Sequence, residues 1–320
     1  MTDGGETSVP SERLSRRGLF RGGLGRLLRE GDALIGSVAE GIEPPSARGD
    51  DDAAHGPARY RRAVAEALDG PPRGGLGRLL APVVETVISR SGAEPGGVVL
   101  DAGAGEGEAA IAAGRRKLAV TACEPVPGRV ARGRELSTAA GVGVEWVVAD
   151  LDRLPFAEHR FDHVISCFGT TFSPAPGRTL AELFRVLRPG GTVAISTWSE
   201  AGFIGEALEL GAALSPPPRG VEHPSRWGRY ETLYRHLMGL APHFDCTERT
   251  VRLELDSAER LWEALAFAPG PLAPARASLA PEGRERLRDG LHALADRHGE
   301  AGAGGSLRLE ATYMLTTAIA

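Results

Sequence analysis

Asp101 closes an apolar run, VVLDAGAGEGE (98–108), that passes through a glycine-rich turn into a helical pattern. Glycine is needed where a backbone turns sharply and lets a ligand approach its N–H groups with no β-carbon in the way. Gly103, Gly105 and Gly107 stand where they would do this. A dinucleotide-binding turn reads GxGxxG, but here Glu108 takes the third glycine's place. Glu106 and Glu108 at a helix start would also repel a pyrophosphate, so the turn favours a cofactor without phosphate. Glu124 closes the next apolar run, where an acid suits a ribose because its two oxygens can accept both hydroxyl hydrogens. Asp150 closes the third and is followed by Leu151. A carboxylate and a backbone N–H there can read the amino edge of an adenine. Three strand ends thus carry groups suited to three parts of one adenosyl ligand.

The elements that must position these residues follow from hydrophobic pattern. The runs GVVLDAG (97–103), LAVTACE (118–124), VEWVVAD (144–150), FDHVISCFG (161–169) and GTVAISTW (191–198) are short, β-branched and bounded by turn residues, which predicts buried parallel strands. Helical patterns at Glu106 to Arg116, Gly128 to Ala140 and Gly177 to Leu187 alternate with them, giving a doubly wound α/β sheet. A helical stripe over 75–90 precedes the first strand, and residues 244–256 and 306–320 read as two late strands. Helices at Ser257 to Phe267 and Pro281 to His298 lie between those strands; they and residues 202–241 are expected to form a cap, with cap elements at about 202–241 and 257–304. Residues 43–57 (EPPSARGDDDAAHGP) read as a linker, so the catalytic domain is expected over 57–320, after an arginine-rich segment and linker at 1–56.

On these motifs the chain resembles the class I S-adenosylmethionine (SAM) dependent methyltransferases. The likeness is strongest to the small-molecule branch, methyltransferase type 11, that includes the ubiquinone and menaquinone C-methyltransferases. DAGAGEG is similar to their first motif, Glu124 with Pro125 to their ribose site, ADLDRLPF (149–156) to their adenine motif, and ELFRVLRPGGTVAISTW (182–198) to the helix and turn before their fifth strand. The resemblance covers roughly residues 75–200. It implies a seven-stranded, mostly parallel Rossmann-like sheet whose last strand runs antiparallel, with SAM as methyl donor. It also implies that Asp101 steadies the glycine loop and the methionine amino group, and that Cys167 and Phe168 line the methyl-donor pocket. Cys167 lies in SCFGT without the neighbouring proline of the cytosine-5 methylating enzymes, so it is read as a buried, inert thiol. CFGT also lacks the Asn/Asp-Pro-Pro-Tyr motif of enzymes that methylate adenine or glutamine nitrogens. Transfer to a hydroxyl or amine sometimes needs a general base. His223 and His236, flanking Trp227 and Tyr230, are the candidates; His163 reads as a hydrogen-bonded core residue and His159 as a loop residue.

Composition bounds the partners. With 42% hydrophobic and 25% charged residues the chain is globular, and a net charge of -5 offers no general attraction to nucleic acid. Cys123, Cys167 and Cys246 are odd in number and far apart, which suggests neither a disulfide framework nor a metal site and fits a reducing cytoplasm. No stretch is apolar enough for a transmembrane helix. SRRGLF (15–20) has the paired arginines of a twin-arginine export signal, but Arg21, Arg26, Arg29 and Glu30 break the apolar run such a signal needs, so export is not expected. Leucines at helical spacing over 13–38 suggest either packing on the domain or weak contact with a membrane surface. The expected activity is methyl transfer from SAM to an O, N or C atom of a small molecule, with no metal. The alternatives are a catalytically silent SAM-binding scaffold and a nicotinamide-dependent oxidoreductase.

Overall fold

The computed structural model describes residues 51–73, 75–302 and 306–320. The arginine-rich stretch over 13–38 lies outside them. Its elements, in order, are α1 (Asp51–Leu68), α2 (Leu76–Leu79), α3 (Ala81–Arg90), β1 (Val98–Ala102), α4 (Glu108–Arg115), β2 (Ala119–Glu124), α5 (Pro127–Ala139), β3 (Val144–Val148) and β4 (Phe161–Cys167). A 3₁₀ turn over Gly169–Phe172 leads to α6 (Pro176–Arg185), β5 (Leu187–Trp198) and α7 (Gly202–Leu214). After a second 3₁₀ turn, Pro224–Gly228, come α8 (Tyr230–Leu237), β6 (His243–Leu255), α9 (Ala258–Ala266), α10 (Ala273–Ser278), α11 (Pro281–His298), β7 (Glu300–Ala301) and β8 (Leu307–Ile319).

The sheet runs β3-β2-β1-β4-β5-β8-β6, and the two-residue β7 pairs with β8 off this path. β1 to β5 are mutually parallel, whereas β8 is antiparallel to both β5 and β6. The expected doubly wound sheet with one reversed strand is therefore present, enlarged by β7. Strand order reverses between β1 and β4, and such a switch point opens a crevice at the carboxyl ends of the strands.

Alternation along the strands feeds two cores. Val99, Ile165 and Ala194 join a cluster on one face with Val83 and Val87 of α3, Ala110 of α4, Phe203 and Ile204 of α7, and Leu291 of α11. Leu100, Val164, Val193 and Ile195 face the other side, against Leu180, Leu183 and Phe184 of α6 and Leu233 and Leu237 of α8. A strand buried on both faces has to be apolar at successive positions, which is why these strands read as continuous runs.

Three differences from the sequence expectation bear on the site. The helical stripe over 75–90 breaks at Leu80 into α2 and α3, with Pro82 in the first turn of α3. Residues 51–57, read as linker, are helical, and α1 runs across the expected boundary at residue 57. Its later half explains why: Tyr60, Val64 and Leu68, at helical spacing, pack with Val126, Phe172 and Ala273, and that burial outweighs the local cost of Gly56 and Pro57. Finally, the segment 202–241 divides. α7 joins α9 and α11 on one face, whereas Trp227 and α8 pack into the opposite core beneath α6.

Candidate active site

Asp101 sits near the end of β1, 1% exposed. Neither of its carboxylate oxygens makes a hydrogen bond of good geometry within the described protein, the nearby Ala110 backbone N–H acting on it only as a weakly aligned dipole. Burial, helped by the charge of Glu108 and then of Glu124, pushes its pKa up to about 8, and the Ala110 backbone N–H offsets only part of this. A buried carboxylate held without a partner is costly, so it marks a place where a ligand donor is missing.

The turn after it is built from backbone constraints. The N–H groups of Gly103 and Ala104 both donate to the Cys123 carbonyl, at 2.9 and 3.0 Å, which ties the loop to the end of β2. Gly103 has φ +72° and lies against Gly169: a β-carbon on Gly103 would come within 2.7 Å of the Gly169 backbone. Ser166 Oγ donates to the Ala102 carbonyl at 2.6 Å and accepts from the Thr170 N–H at 3.3 Å, locking the ends of β1 and β4 together. Gly105, at φ +62°, donates its N–H to Glu124 Oε2 at 2.9 Å, and its open side faces Arg129, whose Nη2 would lie 2.6 Å from a β-carbon there.

Glu124, at the end of β2, is buried and holds the cavity's second acceptor. Its Oε1 accepts the Val126 N–H at 3.2 Å and lies 3.8 Å from Arg129 Nη1. Each carboxylate oxygen carries two acceptor sites, so the group that anchors Gly105 retains capacity for two hydroxyls. Beyond β3, Asp152 forms an ion pair with Arg61 of α1.

Asp101, Gly103, Gly105, Glu124, Pro125, Asp150, Leu151, Cys167 and Phe168 all line one cavity of about 1220 Å3, its open mouth included. Gly107 is not brought to it. Its backbone, φ +99°, starts α4 with the ring of Trp146 over it, 2.8 Å from where a β-carbon would be, so this glycine makes room for a tryptophan. Glu106 likewise turns away, pairing with Arg132 at 2.6 Å, which leaves Glu108 as the acid of that turn that faces the cavity. Cys167 is held protonated, its pKa raised well above the usual thiol range by burial and by Asp101 and Glu108. That is the inert thiol expected. Phe168, with φ +60°, stacks on Trp198 with ring centroids 3.9 Å apart, forming an aromatic wall. His163 Nδ1 meets Thr192 Oγ1 at 2.8 Å within the sheet, the core role expected, and His159 Nδ1 meets the Leu187 carbonyl at 2.7 Å.

Neither candidate base lines this cavity. His236, on α8, packs against Gly177 of α6 on the far face of the sheet, and His223 lies in a neighbouring hollow. Sequence reasoning missed Arg61, Arg129, Asp152, Gly169 and Trp198, which also line the cavity. Gly169 and Trp198 end recognised strands and were within reach of the strand-end argument. Arg61 belongs to a helix read as the edge of a linker and carried no signal.

Five acids of the lining, Asp101, Glu108, Glu124, Asp150 and Asp152, outnumber its two arginines, Arg61 and Arg129. Such a cavity favours a cation and opposes a pyrophosphate. The residues therefore fit SAM, which brings an ammonium for Asp101, a ribose diol for Glu124, an adenine for Asp150 and Leu151, and a positive sulfur for the Phe168–Trp198 wall. Among the described residues, no group of three or more His, Cys, Asp or Glu could hold a metal ion.

Comparison with known proteins agrees. Residues 100–195 match the family described as methyltransferase domain. An uncharacterized protein of Mycobacterium tuberculosis, Rv1403c, is 37% identical over 151 residues, 47% of this chain and 55% of that one. The ubiquinone/menaquinone biosynthesis C-methyltransferase UbiE of Bordetella parapertussis is 36% identical over 117 residues, 35% of this chain and 45% of that one. The chain thus spans about half the length of the curated relatives it matches. The YcgJ protein of Bacillus subtilis shares the fold, with a TM-score of 0.54 at 14% identity over 74% of this chain and 97% of that one. With its strand-end acids and glycine turn inside the matched span, the chain carries a class I SAM-dependent methyltransferase domain.

Proposed function

We propose that the protein transfers a methyl group from SAM to an O, N or C atom of a small molecule. The observation that carries this is the unpartnered Asp101 carboxylate at the head of a cavity whose other acids follow the order of an adenosyl ligand. Bound there, SAM supplies an electrophilic methyl whose bond to sulfur breaks, leaving S-adenosylhomocysteine, as the acceptor's lone pair takes it up. The chain's part is placement. Asp101 and Glu124 fix the two ends of the donor, Phe168 and Trp198 line the sulfur side, and α1 covers the cavity with Val64, Ala65 and Leu68, excluding water. Residues that touch the reacting atoms need do no acid–base chemistry when the acceptor is already nucleophilic.

The same observation argues against a nicotinamide cofactor, whose pyrophosphate would face Glu108 and Asp101. A silent scaffold would keep the donor site and lack space for an acceptor beside it. The test is incubation with SAM labelled in its methyl group and a panel of phenols, amines and stabilised carbanions. Label in a small-molecule product, lost in Asp101→Asn, supports the reading. Saturable SAM binding with no label transferred across a broad panel would favour the scaffold.

A further inference from the structure

Three arginines from separate segments gather around one aromatic ring, beside the loop whose Pro269 and Pro271 line the donor cavity. Phe267, half-buried after α9, stands edge-on to Trp262 with ring centroids 6.1 Å apart. The Arg73 guanidinium, from the link between α1 and α2, lies 4.6 Å from the centre of the Phe267 ring, and the Arg276 guanidinium of α10 lies 3.9 Å from it. Arg284 of α11 joins them by donating its Nε–H to the Arg276 carbonyl at 3.2 Å.

The cluster is fixed without using up its donors. Arg276 gives its Nε–H to the Ala266 carbonyl at 2.7 Å, and the backbone N–H of Arg73 is tied to the Ala268 carbonyl at 3.0 Å. The Nη groups of Arg276 and Arg284 stay uncommitted, and among the described residues no carboxylate pairs with any of the three arginines. Burial, and then the charges of Arg284 and Arg73, push the Arg276 pKa below the usual arginine value, as expected where like charges lack a counter-charge. The chain as a whole carries -5, so this positive density is local.

A guanidinium stacked on a ring still presents its N–H edge to an oxyanion. Donor forks arriving from three segments suit a tetrahedral anion, which offers several acceptor oxygens and up to two charges. A carboxylate brings two oxygens in one plane and a single charge.

We propose that Arg73, Arg276 and Arg284 form a binding site for a phosphate group, separate from the acid-lined donor cavity. The site goes beyond the methyltransferase reading and does not rest on it.

The test is calorimetric titration of the full chain at low ionic strength with phenyl phosphate, inorganic phosphate and benzoate. Saturable binding of a phosphate is expected, with benzoate weaker by about tenfold or more. Arg73→Gln and Arg284→Gln, both at exposed positions, should each weaken phosphate binding about tenfold. Arg276→Lys, which keeps the charge and loses the fork, should weaken it too. Arg235→Gln removes an exposed charge from α8 and should bind as wild type does. Equal affinity for the two phosphates would identify free phosphate as the ligand, and tighter binding of the ester a phosphorylated small molecule; either supports the site. Saturation with S-adenosylhomocysteine should leave the binding in place, and a chain that failed to bind S-adenosylhomocysteine should bind phosphate all the same. Absence of saturable phosphate binding, benzoate binding as tight, affinity unchanged in both glutamine variants of the cluster, an equal loss in Arg235→Gln, or displacement by S-adenosylhomocysteine would each overturn the proposal.

Discussion

At the scale of the residue, the chemistry is concentrated in two buried carboxylates with different duties. Glu124 is already occupied by the Gly105 and Val126 N–H groups, so it both shapes the turn and offers its remaining lone pairs. Glu124→Ala is predicted to weaken S-adenosylhomocysteine binding about 100-fold or more, since hydrogen bonds to a charged group contribute about 1.5–3 kcal/mol and two hydroxyls lose their partner; Glu124→Gln should lose less. Asp101 instead waits for a cation. Its folded pKa, about 8, lies above its ordinary value, so the folded, ligand-free protein binds a proton that the unfolded chain has released. Ligand-free stability should therefore fall as pH rises from about 4 to 8, and Asp101→Asn should flatten that slope while abolishing tight binding. An ammonium at Asp101 forces the charged form, so binding at pH 6 to 7 should release up to one proton. Calorimetry in buffers of different ionisation enthalpy reads this directly, and binding without proton release would contradict the assignment.

Between elements, the site depends on contacts no single strand supplies. Gly103 of the first turn and Gly169 after β4 touch backbone to backbone, which only two glycines allow. Gly103→Ala is predicted to destabilise the fold by ~2 kcal/mol or more, measured by denaturant unfolding, because it adds a clash to a left-handed backbone. The other contact is the ion pair of Arg61 on α1 with Asp152 beyond β3, which ties the covering helix to the Asp150 side of the cavity. Arg61→Ala should speed S-adenosylhomocysteine dissociation about tenfold in stopped-flow fluorescence, and because the Asp152 side chain is only 4% exposed, loss of its partner should also lower the thermal transition. A rate equal to wild type would show that α1 does not retain the ligand.

Over the whole molecule, the sheet and the donor cavity were legible because both are written in short-range pattern. Apolar runs gave the strands, and each run ended on the residue that now lines the cavity. What could not be read depends on packing between distant segments. Gly107 stands in a motif at the right spacing, yet Trp146, from a strand nearly 40 residues away, decides its role. The aromatic stretch 226–234 resembled cap, but Trp227 is buried in the opposite core, where its Nε1 donates to the Ser173 carbonyl at 3.1 Å. The covering role of α1 was hidden by Gly56 and Pro57, which weaken its local helical signal without preventing the packing of Tyr60, Val64 and Leu68. Among the described residues no helix is long and apolar enough to cross a membrane.

The central claim is that the strand-end acids form a donor site for SAM. Calorimetric titration of the full chain with SAM, S-adenosylhomocysteine and NAD, beside Glu124→Ala, tests it most directly. One saturable site is expected for the two sulfur compounds, weakened about 100-fold or more in the variant, with no binding of NAD. Binding of NAD alone, or equal affinity of the sulfur compounds for both proteins, would contradict it.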